Sequence, residues 1–211
     1  MVQSNDKVVV LDVGTDTVKA GFAGEDSPAV SVKSSGVSGG RIMNWDEMEK
    51  VWAEAFQKLG VTADGVAGVV VTEPIFNAQG KKDIVQRMFE KMNAQRVWVA
   101  NAAIAALVGS GKSTACVVEC GHGLTQVLPI YEGMPLDHAK EKSVLGGGTL
   151  NSVLEKHGVS ADVAQGAKEL GCYVSTDFEN EAPADEAVTL SDGKQVTVPG
   201  KARTLVPETL F

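Results

Sequence analysis

The sequence predicts an α/β fold built as two related lobes. Apolar runs of strand length alternate with amphipathic helical stretches, and a strand–Gly-turn–strand unit occurs at Val8–Ala23 and again at Thr114–Ile130. A polar stretch at Gly109–Lys112 separates the two, placing one lobe over residues 1–109 and the other over 110–211. At 211 residues and 44% hydrophobic content the chain can bury a sizeable core.

In the first lobe, Val8–Val13 is an apolar run interrupted by Asp12, and Val18–Ala23 and Pro28–Lys33 follow across short polar turns as a three-strand meander. Ser34–Gly40 reads as a flexible connector without periodicity. Asn44 with Glu47 forms a capping box, after which Trp45, Met48, Trp52, Phe56 and Leu59 keep helical spacing until Gly60 stops the helix. Both tryptophans read as packing. Val66–Pro74 is a buried-type strand, and Lys81–Asn93 is an amphipathic helix with Ile84, Val85, Met88, Phe89 and Met92 on one face. Arg96–Ala100 is a short strand, and Asn101–Gly109 is so rich in small apolar residues that a nearly fully buried helix is expected.

The pattern then restarts. Thr114–Glu119 and Thr125–Ile130 are strands around the turn Gly121–Gly123, and the run Leu145–Leu150 leads into a helix through Leu154. Ala161–Tyr173 is helical, and Ala187–Leu190 with Gln195–Val198 forms a hairpin across Ser191-Asp192-Gly193.

The net charge of −8 argues against general affinity for nucleic acid or an anionic membrane surface. No basic-then-apolar leader is present and no apolar run approaches the ~18 residues that span a bilayer, so a soluble, intracellular protein is expected. Cys116 and Cys120 stand four apart on one face of a strand, and His122, His138 and His157 lack metal-ligand spacing. No metal site is expected, and the three cysteines read as buried free thiols, which fits a reducing compartment.

Several longer strings resemble the actin family, in that family's order: VKAGFAGEDSP from Val18, NWDEMEKVW from Asn44, VVTEP from Val70, VLPIYEGMPLDHA from Val127, CYVSTDFENE from Cys172 and DGKQVTVPGKARTLVPETLF from Asp192. The resemblance implies a two-lobed, RNase H-like α/β fold shared with heat-shock chaperone ATPase domains and sugar kinases, in which ATP and a divalent metal lie between two Gly turns. It also implies a reduced version. A short connector at 34–40 stands where the family carries the outer domain of the first lobe, and the outer domain of the second lobe is cut down after Leu145. The sequence reaches Phe211 without the family's C-terminal segment, which includes a Gly-rich loop over the adenine.

The site residues implied by the resemblance are Asp12, Gly14, Thr15 and Lys19 in the first turn, Gly121 and Gly123 in the second, Gly147 in the LGGGTL run, and Lys168 and Glu169 near the adenosine. Four positions depart from the family pattern. Asp16 replaces a small residue, and a carboxylate ~4 Å from a like charge is repelled by ~4 kcal/mol at an effective dielectric of about 20. The alternative reading is an acid in an ordinary polar hairpin turn, with Lys19 as its ion-pair partner. Glu119 and His122 stand where the family has aspartates, and an exposed turn histidine is the plainer reading of the latter. Ala102 stands where the family has the glutamine that orients the attacking water, which a methyl group cannot do. Asn101 is adjacent, but one helical step turns a side chain by roughly 100°, so it points elsewhere.

The expectation is therefore a non-catalytic actin-like subunit, a pseudo-ATPase, in a larger cytoskeletal assembly, with microtubule, dynein or axonemal hosts in the cytoplasm or cilium. No cofactor is expected in that reading. Protein partners would cover the surfaces left by the C-terminal segment, and the family's filament would not form. The alternatives are a switch that holds ATP or ADP with magnesium without efficient hydrolysis, or a nuclear subunit of a chromatin-remodelling complex. A sugar kinase would need a carboxylate base at a substrate cleft, for which no segment has the motif.

Overall fold

The computed structural model describes residues 6–74 and 78–211. They fall into two compact units, one running to Gly121 and resuming at Thr125–Lys142, the other holding His122–Leu124 and Ser143–Phe211. The boundary expected at 109/110 falls inside the first unit, because the hairpin that follows it packs on the helix before it.

The first unit is built on a five-stranded sheet. Strands β1 (Val8–Val13), β2 (Thr17–Phe22) and β3 (Val30–Lys33) form the expected antiparallel meander. The connector expected to be irregular contains a minimal hairpin, β4 (Val37–Ser38) and β5 (Arg41–Ile42). It turns at Gly39 and Gly40, whose φ values of 52° and 73° suit glycine.

Helix α1 (Trp45–Leu59) begins at Asn44, whose Oδ1 accepts the Glu47 N–H at 3.2 Å. It ends at Gly60, left-handed at φ 70°, with the Val61 N–H closing onto the Phe56 carbonyl at 3.1 Å. The chain continues as β6 (Gly68–Glu73), α2 (Ala78–Glu90) and β7 (Val97–Asn101). Strand β6 lies parallel between β1 and β7, giving the order β3-β2-β1-β6-β7.

Alternation decides which face is covered. Val9, Leu11, Val18, Ala20, Val69 and Val71 point to one side and pack under α1 and α2 with Trp52, Met48, Ile84 and Met88. Trp52 is fully buried, and its ring meets that of Trp45 edge-on with centroids 6.2 Å apart. Residues one step along face the other way: Val10 and Val70 are half-buried, and Trp98, in register with Val70, is 69% exposed.

Helix α3 (Ala102–Gly109) corrects the expectation of near-complete burial. Ala103 and Leu107 are buried, but Ala105, Ala106 and Val108 are exposed. Among the described residues one face of the helix is buried, against the hairpin of β8 (Ala115–Cys120) and β9 (Thr125–Tyr131) through Leu128 and Ile130. Two short strands, β10 (Met134–Pro135) and β11 (Glu141–Ser143), also pair with β9, with a 3-10 turn at Asp137–Ala139 between them. The thiols differ from expectation too: Cys116 and Cys120 share a face of β8 as the spacing requires, but that face is exposed, and Cys172 is half-buried.

The second unit packs α4 (Gly147–Lys156), α5 (Ala161–Gly171) and α6 (Gly200–Glu208) with the hairpin β12 (Glu186–Thr189) and β13 (Gln195–Val198). Leu154, Ala164, Ala167, Val198, Ala202 and Val206 are fully buried at its centre. Small residues let these elements approach closely; a Cβ on Gly200 would lie 1.9 Å from the Pro183 carbonyl oxygen.

Candidate functional site

The turn between β1 and β2 is held by its own backbone. Gly14 donates to the Thr17 carbonyl at 3.1 Å, and a Cβ at Gly14 would stand 2.6 Å from that oxygen, so glycine is required there. Asp12 and Lys19 are opposite each other in the ladder. Thr72, nearly buried at the end of β6, ties this turn to the sheet: its hydroxyl accepts the Val13 N–H at 3.2 Å and donates to Asp12 Oδ1 at 2.7 Å. Thr15 sits half-buried in the turn.

Asp16 ion-pairs with Lys33, not with Lys19 as expected. Register gives the reason. Thr17 pairs with Lys33, which brings that lysine beside the turn, whereas Lys19 lies farther down the strand across from Asp12. The Asp16 carbonyl also accepts the Ser34 N–H at 2.8 Å.

The β8–β9 hairpin brings a second carboxyl into the same neighbourhood. Glu119 and Gln126 are cross-strand partners, and buried Gln126 donates from Nε2 to Glu119 Oε2 at 2.6 Å. Burial pushes the Glu119 carboxyl above its ordinary range, the Gln126 bond partly restores it, and the nearby Asp12 charge raises it again. Asp12, Thr72, Glu119 and Gln126 thus form one polar cluster. Glu73 lies next to Thr72; burial raises its pKa against the Lys81 charge, and its Oε2 has no hydrogen-bond partner among the described residues.

Ala102 opens α3 and presents a methyl group. Asn101 is occupied as the helix cap, its Oδ1 accepting the Ile104 N–H at 3.2 Å.

The second unit gathers His122, Gly147 and Lys168. The His122 carbonyl accepts the Gly148 N–H at 2.8 Å, and a Cβ on Gly148 would come within 2.8 Å of His122 Nε2. His122 is therefore half-buried over the first turn of α4, a correction to the exposed turn histidine expected, made by the missing side chains of the glycines. Lys168 Nζ donates to the Gly147 carbonyl at 3.0 Å. Glu169 is exposed and accepts from Gln165 Nε2 at 3.2 Å, away from this cluster. Gly121 is exposed and Gly123 half-buried in the turn. Among the described residues no group of three or more His, Cys, Asp or Glu side chains is placed to hold a metal ion.

Thr72, Glu73 and Gln126 were not legible as site residues. Thr72 and Glu73 end the apolar run of β6, and Gln126 occupies an inward position between apolar neighbours of β9. A polar residue at a core-facing strand position is the signal that could have found Glu73 and Gln126; Thr72, in phase with Val70 on the other face, carries no such signal.

The family model described as Actin matches residues 29–164 of this chain. A curated relative, Actin-like protein 9 of Homo sapiens, is 28% identical over 252 aligned positions, which cover 96% of this chain and 60% of the relative.

Proposed function

The chain belongs to the actin family, and from that premise we propose that it is a non-catalytic structural subunit, its open sheet face covered by a protein partner in a cytoskeletal assembly of the cytoplasm. The observation that carries this reading is the sheet face turned away from α1 and α2, where half-buried Val10 and Val70 line up with Trp98, which is 69% exposed. Contiguous apolar surface of this kind marks an interaction site.

The site residues support the absence of turnover. ATP with magnesium is the group the family implies, and the residues present fit it poorly. Asp12 and Glu119 bring two carboxyls to the first cluster, where a triphosphate adds further negative charge. Lys168 is engaged with a backbone carbonyl, and His122 fills the space above the start of α4. The methyl group of Ala102 orients no water. The minimal hairpin at residues 37–42 supports a further part of the reading, that the chain does not build the family's filament.

A switch that holds nucleotide without turnover is the second reading, favoured by the Gly14 turn and by the Thr72–Asp12 bond that fixes it. Quantifying nucleotide and metal that co-purify with the chain separates the two: stoichiometric ATP or ADP favours the switch. The structural reading predicts that the purified chain melts broadly and binds an apolar dye, and that Trp98→Ser lowers dye binding at least twofold. A sharp two-state melt without dye binding overturns it.

A further inference from the structure

We infer that a cavity in the second unit binds the zwitterion of a small apolar α-amino acid. The cavity has a volume of about 360 Å³, near the lower end of the roughly 300–1,000 Å³ that ligand pockets occupy. It lies between the first two turns of α6 and the chain that joins α5 to β12, so it belongs to one folded unit. Phe178, Pro183 and Leu205 supply apolar wall, and Glu181, Lys201 and Thr204 supply the polar groups.

The polar groups are divided between two walls. Lys201, Thr204 and Leu205 follow helical spacing along α6 and so share one of its faces. Lys201 is exposed and makes no ion pair among the described residues. Thr204 is only 3% exposed yet lines the cavity, and its hydroxyl makes no hydrogen bond among the described residues. A buried hydroxyl without a partner is costly, and a ligand oxygen would remove that cost. On the other wall, Glu181 Oε1 accepts from the Tyr173 hydroxyl and Oε2 from the Ser175 hydroxyl. These bonds, that of Ser175 first, hold its carboxyl below the ordinary range, so Glu181 is anionic at neutral pH. An ionised carboxylate has about four lone-pair sites, which leaves acceptor capacity for a ligand ammonium.

The two walls are fixed to each other. Arg203 of α6 donates from Nε to the Gly171 carbonyl at 2.9 Å and from Nη1 to the Ala184 carbonyl at 3.1 Å, and Asp185 Oδ1 accepts the Gly200 N–H at 2.7 Å. Little ordering is therefore left for a ligand to impose. The opposite charges select the ligand. A lone carboxylate would be repelled by Glu181 and a lone amine by Lys201, whereas a zwitterion satisfies both. Its carboxylate accepts from Lys201 and Thr204, its ammonium donates to Glu181, and its side chain packs on Phe178, Pro183 and Leu205. This site goes beyond the subunit role and does not rest on it, since the Trp98 face belongs to the other unit.

Calorimetry of the full chain at neutral pH, with L-phenylalanine as the probe, should show one site per chain. Phenethylamine lacks the carboxylate and hydrocinnamate lacks the ammonium; each should bind at least tenfold more weakly, the loss expected for a charged hydrogen bond. Lys201→Met removes the charge of an exposed side chain. It should weaken L-phenylalanine at least tenfold, leave phenethylamine no weaker, and leave the circular dichroism spectrum unchanged. Thr204→Val, which keeps the shape without the hydroxyl, should weaken L-phenylalanine several-fold. A parent chain that does not bind L-phenylalanine, one that binds either analogue as tightly, or a Lys201→Met chain that holds L-phenylalanine undiminished overturns the inference.

Discussion

Lys33 on β3 neutralises Asp16 at the tip of the β1–β2 turn, so the acid that departs from the family pattern is held by a neighbouring strand. The Lys33 side chain is 72% exposed, and a pair so placed contributes about 0–1 kcal/mol. Asp16→Gly should therefore leave the melting temperature within a few degrees of the parent. Combined with His122→Asp, which restores the family's residue type in both turns, it should raise ATP affinity at least tenfold by calorimetry. Unchanged affinity would show that charge at the two turns is not what limits binding.

Glu119 gives a pH dependence of definite sign. Its folded pKa is raised, first by burial, so the folded chain holds this proton more tightly than the unfolded chain. The associated stability is fully present below the ordinary carboxylate value of 4.5 and is lost as pH rises through the folded value. Glu119→Gln should flatten this part of the profile and leave the protein at least as stable at pH 7. Urea titrations of both chains at pH 5 and pH 7 measure it, and a parent chain that gains stability through this group as pH rises would contradict the assignment.

The core of the first unit depends on Trp52, fully buried between α1 and the sheet. Trp52→Ala should cost about 3–5 kcal/mol, and Asn44→Ala, which removes the α1 cap, about 1 kcal/mol. Denaturant midpoints in the two variants should keep that order.

Gly200 tests the second unit separately. A Cβ there would stand 1.9 Å from the Pro183 carbonyl oxygen, a backbone atom that cannot swing aside. Gly200→Ala should lower hydrogen-exchange protection in α5 and α6, while Gly109→Ala, with nothing within 4 Å of its Cβ and no positive φ, should not.

Much of the fold was legible because it is periodic. The capping box at Asn44, the stop at Gly60 and the alternation along β1, β2 and β6 each leave a local signature. The burial of α3 was not legible, since alanine-rich composition reports what a helix could bury and not which of its faces meets a partner. The candidate cluster was half legible. Asp12, Gly14 and Glu119 stand out at the ends of apolar runs, but the Lys33–Asp16 pair and the Gln126–Glu119 bond depend on strand register, which pairing alone fixes.

Phosphate release by the purified chain in saturating ATP and magnesium tests the central claim most directly. Release should be no faster than from ATP in buffer, for the parent chain and for Trp98→Ser alike. Sustained turnover by the parent chain, abolished by Asp12→Ala, would contradict it.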